Sequence, residues 1–146
     1  MTAHSTAKLY TAEILALAVE LADYPIGTTG LPITEVRSRS CGSTLSLGLT
    51  TNGQGRISQI GLKVSACAIG QASAAIFAKH AIGSGLREID NCIAGLYDWL
   101  SGCGQLPDWP RLSLLSDARA FPGRHEAILL PWKAAREALC NSLPSG

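Results

Sequence analysis

Two cysteines stand where the sequence changes character. Cys67 follows the alternating run "RISQIGLKVSA" (56–66) and opens a stretch of small residues, "ACAIGQAS" (66–73), suited to a tightly packed helix. A thiol at a helix N-terminus meets the positive end of the aligned peptide dipoles and several unpaired amides. Both favour the thiolate, the form that attacks electrophiles and binds metals. From position alone the competing reading, a buried cysteine acting as a small hydrophobe, is the commoner one. Cys41, in "RSCGSTLSL" (39–47), precedes Gly42, which permits an unusual turn or the close approach of a ligand. A hairpin closed at "NGQG" (52–55) brings Thr44 and Ser65 to one sheet end, with Cys41 and Cys67 just beyond. Two thiols meeting there make a candidate metal or sulfur-transfer site.

The elements that must hold them are legible from periodicity. Ile14, Leu17, Ala18 and Leu21 recur at helical spacing, with Thr11 as N-cap and "DYPIG" (23–27) as the stop. Residues 25–34 carry prolines and glycines without a period and predict a loop. Strand character begins at "EVRSRS" (35–40). It continues through "STLSLGLTT" (43–51), where Leu45, Leu47 and Leu49 share a face. After the hairpin, Ile60, Leu62, Val64 and Ala66 share a face while Ile57 falls out of phase, so a bulge is expected near Ser58 and Gln59. A helix from Cys67 to "IGSG" (82–85), another over Leu86–Leu100, a short one over 112–120 and a last one from about Ala127 or Ile128 complete the chain. That last start keeps Pro131 near the first turn, where proline is tolerated. The expectation is an α+β fold: a small three-stranded antiparallel sheet with helices packed on one face, forming one domain over 1–146.

Composition narrows the function classes. A net charge of +1 leaves no electrostatic footprint for nucleic acid or a polybasic membrane contact. Glu13 and Glu20 interrupt the apolar N-terminal run, and no cleavage pattern follows it, so a cytoplasmic protein is expected. Five cysteines at irregular spacing make a poor disulfide framework and are read as free thiols. Cys92 and Cys140 fit helical packing, and Cys103 between glycines fits an exposed thiol. Arg37 and Arg39 either steer an acidic partner or decorate a solvated strand edge. No dinucleotide, P-loop, hydrolase-elbow or zincin motif occurs, so no enzyme is expected. A cysteine nucleophile paired with His125 would lack an orienting group.

The stretch "CGSTLSLGLTTNGQGRISQIGLKVSACAIGQASAAIFAKHAIG" (41–83) resembles the core of the iron–sulfur cluster assembly scaffolds, the IscU, SufU and NifU N-terminal family. Members read Cys-Gly-Asp, then a hairpin, then Gly-Cys-Ala-Ile-Ser-Gln-Ala-Ser; here Gly70 replaces the usual Ser. "FPGRHEAILLPWKA" (121–134) is similar to the third motif of the SufU branch, Pro-x-Arg-x-Lys-Cys-Ala-x-Leu-x-Trp. Pro122, Arg124, Leu130 and Trp132 fit that frame. The resemblance covers nearly the whole chain and implies a SufE/NifU-like fold.

It also implies a ligand set of three cysteines and an aspartate, with a histidine in one branch, holding a transient iron–sulfur cluster or zinc. Cys41 and Cys67 match two of the cysteines. Ser43 stands at the aspartate position and Ala127 at the third cysteine. His125 and Glu126 are the candidates for a third donor, with Ser43 a weak one. The alternatives are a surface histidine at a helix start and a glutamate favoured there by the dipole. A site of two cysteines with histidine or glutamate suits zinc or iron, more weakly than a full set. Two functions follow. One is an assembly scaffold that binds iron, zinc or a labile cluster through Cys41 and Cys67. The other is a metal-free sulfur acceptor that takes a persulfide on Cys41. The resemblance implies a cysteine desulfurase and iron–sulfur acceptor proteins as partners. Arg124 would contact the desulfurase or hold anionic charge.

Overall fold

A computed structural model describes residues 11–27, 30–39 and 42–142. The first helix, α1 (Ala12–Glu20), starts where Thr11 Oγ1 accepts the Ile14 amide at 3.2 Å. That bond satisfies one of the amides that a helix N-terminus leaves unpaired. Ile14 and Leu17 are buried, and a 3-10 turn over Leu21–Asp23 ends the segment.

Three strands follow: β1 (Ile33–Arg37), β2 (Thr44–Thr51) and β3 (Ile57–Ser65), in the antiparallel order β1-β2-β3. Leu45, Leu47 and Leu49 fill one face of β2, as their alternation requires. The β2–β3 register pairs Thr44 with Ser65, then shifts between Thr50 and Thr51, so that Gln59 and Ile57 find partners and Ser58 is the extra residue. The bulge is what turns Ile57 inward to 1% exposure. β1 begins at Ile33, earlier than the alternation indicated, because pairing with Gly48 and Leu47 extends it back toward Pro32. The loop after α1 lies directly on β3. The Tyr24 carbonyl accepts the Leu62 amide at 2.8 Å, and a Cβ added to Gly61 would come within 2.6 Å of the Pro25 carbonyl oxygen.

Helices α2 (Ala68–Ala81) and α4 (His125–Ser142) pack on one face of this sheet, α2 against β3 and α4 against β1 and β2. α3 (Leu86–Leu100) packs on α4, and α1 on α2. The alanines of α2 are almost all buried, so its backbone comes close to its neighbours. Phe77, Trp109 and Trp132 meet in the core. Phe77 stacks on Trp109 at 5.8 Å, and Trp132 stands edge-on to Phe77 and Trp109 at 5.5 and 5.4 Å. The α+β arrangement with helices on one sheet face is the one expected. No described helix is long and apolar enough to cross a membrane.

The short helix expected over 112–120 is present in 3-10 form, and the last helix starts earlier than expected. Residues Leu112–Ala120 form a 3-10 helix, and α4 begins at His125 after a 3-10 turn over Pro122–Arg124, which puts Pro131 in its interior. Proline has no N–H, so the Ala127 carbonyl loses its helical partner. Nearby, the buried Ser73 hydroxyl donates to the Ile128 carbonyl at 2.7 Å and ties α4 to α2.

Arg111, at φ 70, occupies the left-handed region that non-glycine residues rarely adopt. Its guanidinium holds Glu20 through two bonds of 2.9 and 3.1 Å, joining α1 to the start of the 3-10 helix. The Arg111 hydrogen bond keeps the Glu20 carboxyl below its ordinary 4.5, against the opposing effect of desolvation. A depressed carboxylate contributes stability above its unfolded value and loses it as pH falls through the folded one. Glu20→Gln is therefore expected to lower stability near neutral pH, by an amount that shrinks as pH falls through the folded value. Urea denaturation across a pH series checks this.

Candidate functional site

The loop joining β1 to β2 is closed by the Ser38 amide, which donates to the Ser43 carbonyl at 2.8 Å. Inside it, Gly42 has φ 71, a conformation that glycine adopts without the penalty of a side chain. Cys41 lies outside the described residues. Ser43 is buried at 3% exposure at the mouth of β2. Across the ladder, Thr44 pairs with Ser65, and two residues later Cys67 caps α2 with extended backbone (φ −64, ψ 171). The Cys67 carbonyl accepts the Gln71 amide at 3.0 Å, and Gln71 Nε2 donates to the Ala66 carbonyl at 2.9 Å, so the turn is pinned from both sides. Cys67 is partly exposed and free.

The third wall is the first turn of α4. A Cβ placed on Gly70 would lie 3.4 Å from the Ala127 Cβ and 2.7 Å from the Ala66 Cβ. The starts of α2 and α4 therefore touch next to Cys67, and no side chain fits at 70 while Ala66 keeps its methyl group. The family that this stretch resembles has Gly before its cysteine and Ser three residues after it. Here the two sizes are exchanged, Ala66 before and Gly70 after, and the contact geometry accounts for the exchange. Sequence reading saw Gly70 alone. The signal for the pair is their four-residue spacing across a strand-to-helix turn, which becomes visible only once the turn is built.

The remaining candidates divide. Glu126 Oε1 accepts from the Ser38 hydroxyl at 2.9 Å, which brings the head of α4 to the β1–β2 loop. His125 is turned toward its own side of the helix start. Its Nε2 lies 2.9 Å from the Arg119 carbonyl, so that nitrogen carries the proton and donates. Only Nδ1 of His125 is then left for a metal. Arg124 is partly exposed and forms no ion pair among the described residues. Ala127 is buried at 1% exposure and offers no donor atom. Among the described residues, no group of three His, Cys, Asp or Glu side chains is placed to hold a metal ion. Ser38, which fixes Glu126, was not found from sequence, because no periodicity links residues so far apart in the chain.

A cavity of about 300 Å³ opens beside Ser38 and Glu126, lined also by Glu35, Arg37, Leu130 and Lys133. A larger one, about 390 Å³, lies away from the site between α3 and the 107–110 loop and contains Cys92. Burial pushes the Cys92 thiol up to about 12, so it stays protonated and inert. Cys140 is exposed, contrary to its expected packing role, and Cys103 is exposed as expected.

A three-stranded antiparallel sheet, helices on one face and a cysteine at the strand-to-helix junction define the NifU/IscU type of scaffold fold. The N-terminal NifU-like protein of Brucella abortus superposes with a TM-score of 0.82 at 25% identity, over 93% of this chain and 96% of that one. The SufU protein of Fervidobacterium islandicum AW-1 gives 0.76 at 22% identity, over 92% and 99%. No profile of a known protein family matches the chain. The iron–sulfur cluster assembly scaffold protein IscU of Thermotoga maritima is 30% identical over 111 residues, which is 73% of this chain and 75% of that protein. The chain belongs to the IscU family of iron–sulfur cluster assembly scaffold proteins.

Proposed function

We propose that this protein is a carrier in iron–sulfur cluster assembly that holds iron, zinc or a labile cluster as cargo between Cys41 and Cys67. The carrying observation is Cys67: free, partly exposed, and seated at the helix start where the strand ends and the head of α4 converge. Thiolates are the ligands that soft metals and clusters prefer. Ser43 and Ala127 withdraw two of the family's donors, so coordination positions stay open for water, a small thiol or a partner's residue. A cargo held by fewer protein ligands is held less tightly and released more readily. Glu126, already positioned by Ser38, is a candidate additional oxygen donor. This role is binding and hand-over rather than turnover.

A second reading has support of its own. Glu126 and His125 both spend hydrogen bonds elsewhere, on Ser38 and Arg119, which suits a site that takes sulfur without metal. In that case the Cys41 thiolate attacks the outer sulfur of a persulfide on a cysteine desulfurase. The sulfur–sulfur bond of the donor breaks, its cysteine leaves as thiolate, and Cys41 carries the new persulfide. Arg124 would face the anionic groups of that encounter.

Untagged protein purified from cells separates the readings. The carrier is expected to contain zinc or iron near one equivalent, with most of it lost in Cys67→Ala. Metal-free protein that takes labelled sulfur on Cys41 from a desulfurase supports the second reading. Protein that holds neither metal nor sulfur refutes both.

A further inference from the structure

Among the described residues β1 is an edge strand, and its free edge can be read from the hydrogen bonds that flank it. The Ser38 amide donates to the Ser43 carbonyl at 2.8 Å and the Leu49 amide to the Pro32 carbonyl at 3.4 Å. Ser38 and Pro32 therefore direct their backbone groups toward β2. In an antiparallel ladder this alternates, so Thr34 and Val36 also point inward, while Ile33, Glu35 and Arg37 present theirs to the open edge. The side chains of those same three residues are exposed, Ile33 at 59%. Glu35 and Arg37 form no ion pair among the described residues. Two cavities lie alongside the strand, between it and α4: one of about 300 Å³ at Val36, Arg37 and Leu130, and one of about 310 Å³ at Pro32, Ile33, Thr34 and Ala138.

We infer that this edge pairs with the same edge of a second copy of the chain, giving a two-fold dimer whose sheet runs through both subunits. The charge order selects the occupant and the register. An antiparallel pair centred on Glu35 would set Glu35 against Glu35 of the other copy, and like charges directly opposite repel. Centred on Val36, each Glu35 faces an Arg37 and each Arg37 a Glu35, and all four residues have outward backbone groups ready to bond. Val36 meets its own copy on the axis, on the side where the first of these cavities leaves room over Leu130. A strand reading acidic, apolar, basic across its centre is complementary to itself run backwards, the condition for a two-fold interface. Isolated charges on an edge otherwise serve to block pairing. Here two of opposite sign, placed symmetrically about a valine, do the reverse.

Analytical ultracentrifugation of the full chain over a wide concentration range tests this. The wild type is expected to pass from monomer to dimer. Arg37→Glu, and separately Glu35→Arg, each replace two attractive contacts by repulsive ones and are expected to weaken the dimer about tenfold. The exchange Glu35→Arg with Arg37→Glu is expected to restore it. Glu35→Pro, which removes an outward amide together with the carboxylate, is expected to weaken pairing further than Glu35→Arg while circular dichroism shows the fold intact. A wild type that stays monomeric, a dimer indifferent to Arg37→Glu, or a double exchange that fails to restore association would each overturn the inference.

Discussion

Ser43→Asp combined with Ala127→Cys is expected to raise zinc affinity by at least roughly 10²-fold over the wild-type chain. Repositioning an outer partner of a metal ligand already changes affinity by about 10- to 100-fold, and here two ligands themselves are supplied. Both positions are those at which the family motif carries its aspartate and its third cysteine. Ser43 is at the mouth of β2, and Ala127 lies in the first turn of α4, against Gly70 and one turn from Cys67. Cys41 and Cys67 then complete a tetrahedral set of three thiolates and a carboxylate. The change has a cost without metal, because both residues are buried. Enlarging a well-packed position destabilises by about 1–3 kcal/mol, and a buried carboxylate without its cation adds to that. The double variant is therefore expected to melt below the wild type when zinc is chelated and above it when zinc is added, since binding to the folded state alone is stabilising. Competition with a chromophoric chelator reads the affinity directly. An unchanged affinity would mean that these positions do not face one common point with Cys67.

The second large effect is structural. Trp132→Ala is expected to cost about 3–5 kcal/mol, the range for removing a fully buried large aromatic. Trp132 is 0% exposed and stands edge-on to both members of the Phe77–Trp109 stack. Its removal takes away the aromatic contacts between α4 and both α2 and the 107–110 loop. Against a total stability of about 5–15 kcal/mol, that loss leaves a marginal protein. Trp132→Phe should cost much less. It keeps most of the apolar area and deletes an indole N–H that is buried without a hydrogen-bond acceptor among the described residues. Equal losses for the two variants in chemical denaturation would contradict this account. Trp132 fits the third sequence motif of the family, and the structure gives that position a packing role behind the site.

What could be read from the sequence was whatever depends on near neighbours. The Thr11 cap follows from helical spacing, the Thr44–Ser65 register and the extra residue at Ser58 from alternation and a glycine-containing turn, and all are present. The beginnings of β1 and α4 were misplaced, because each is decided by a partner distant in the chain. Ile33 is in a strand because Gly48 lies beside it, and His125 starts a helix although a proline six residues on argues otherwise. The site divides the same way. Cys67 was legible from the junction where it sits. The Ser38–Glu126 bond and the Ala66–Gly70–Ala127 contact were not, because each joins elements whose separation in sequence carries no period.

Pro131 has one more effect. A helix opens from its ends by breaking successive ladder bonds, and α4 has one bond fewer between the turn carrying Glu126 and the rest of its length. That turn is joined to its surroundings by the Ser38 hydroxyl and, one residue beyond Ala127, by Ser73. Opening that first turn therefore breaks one ladder bond fewer than opening an uninterrupted helix, so the turn is expected to exchange its amide hydrogens sooner than the helix beyond Pro131.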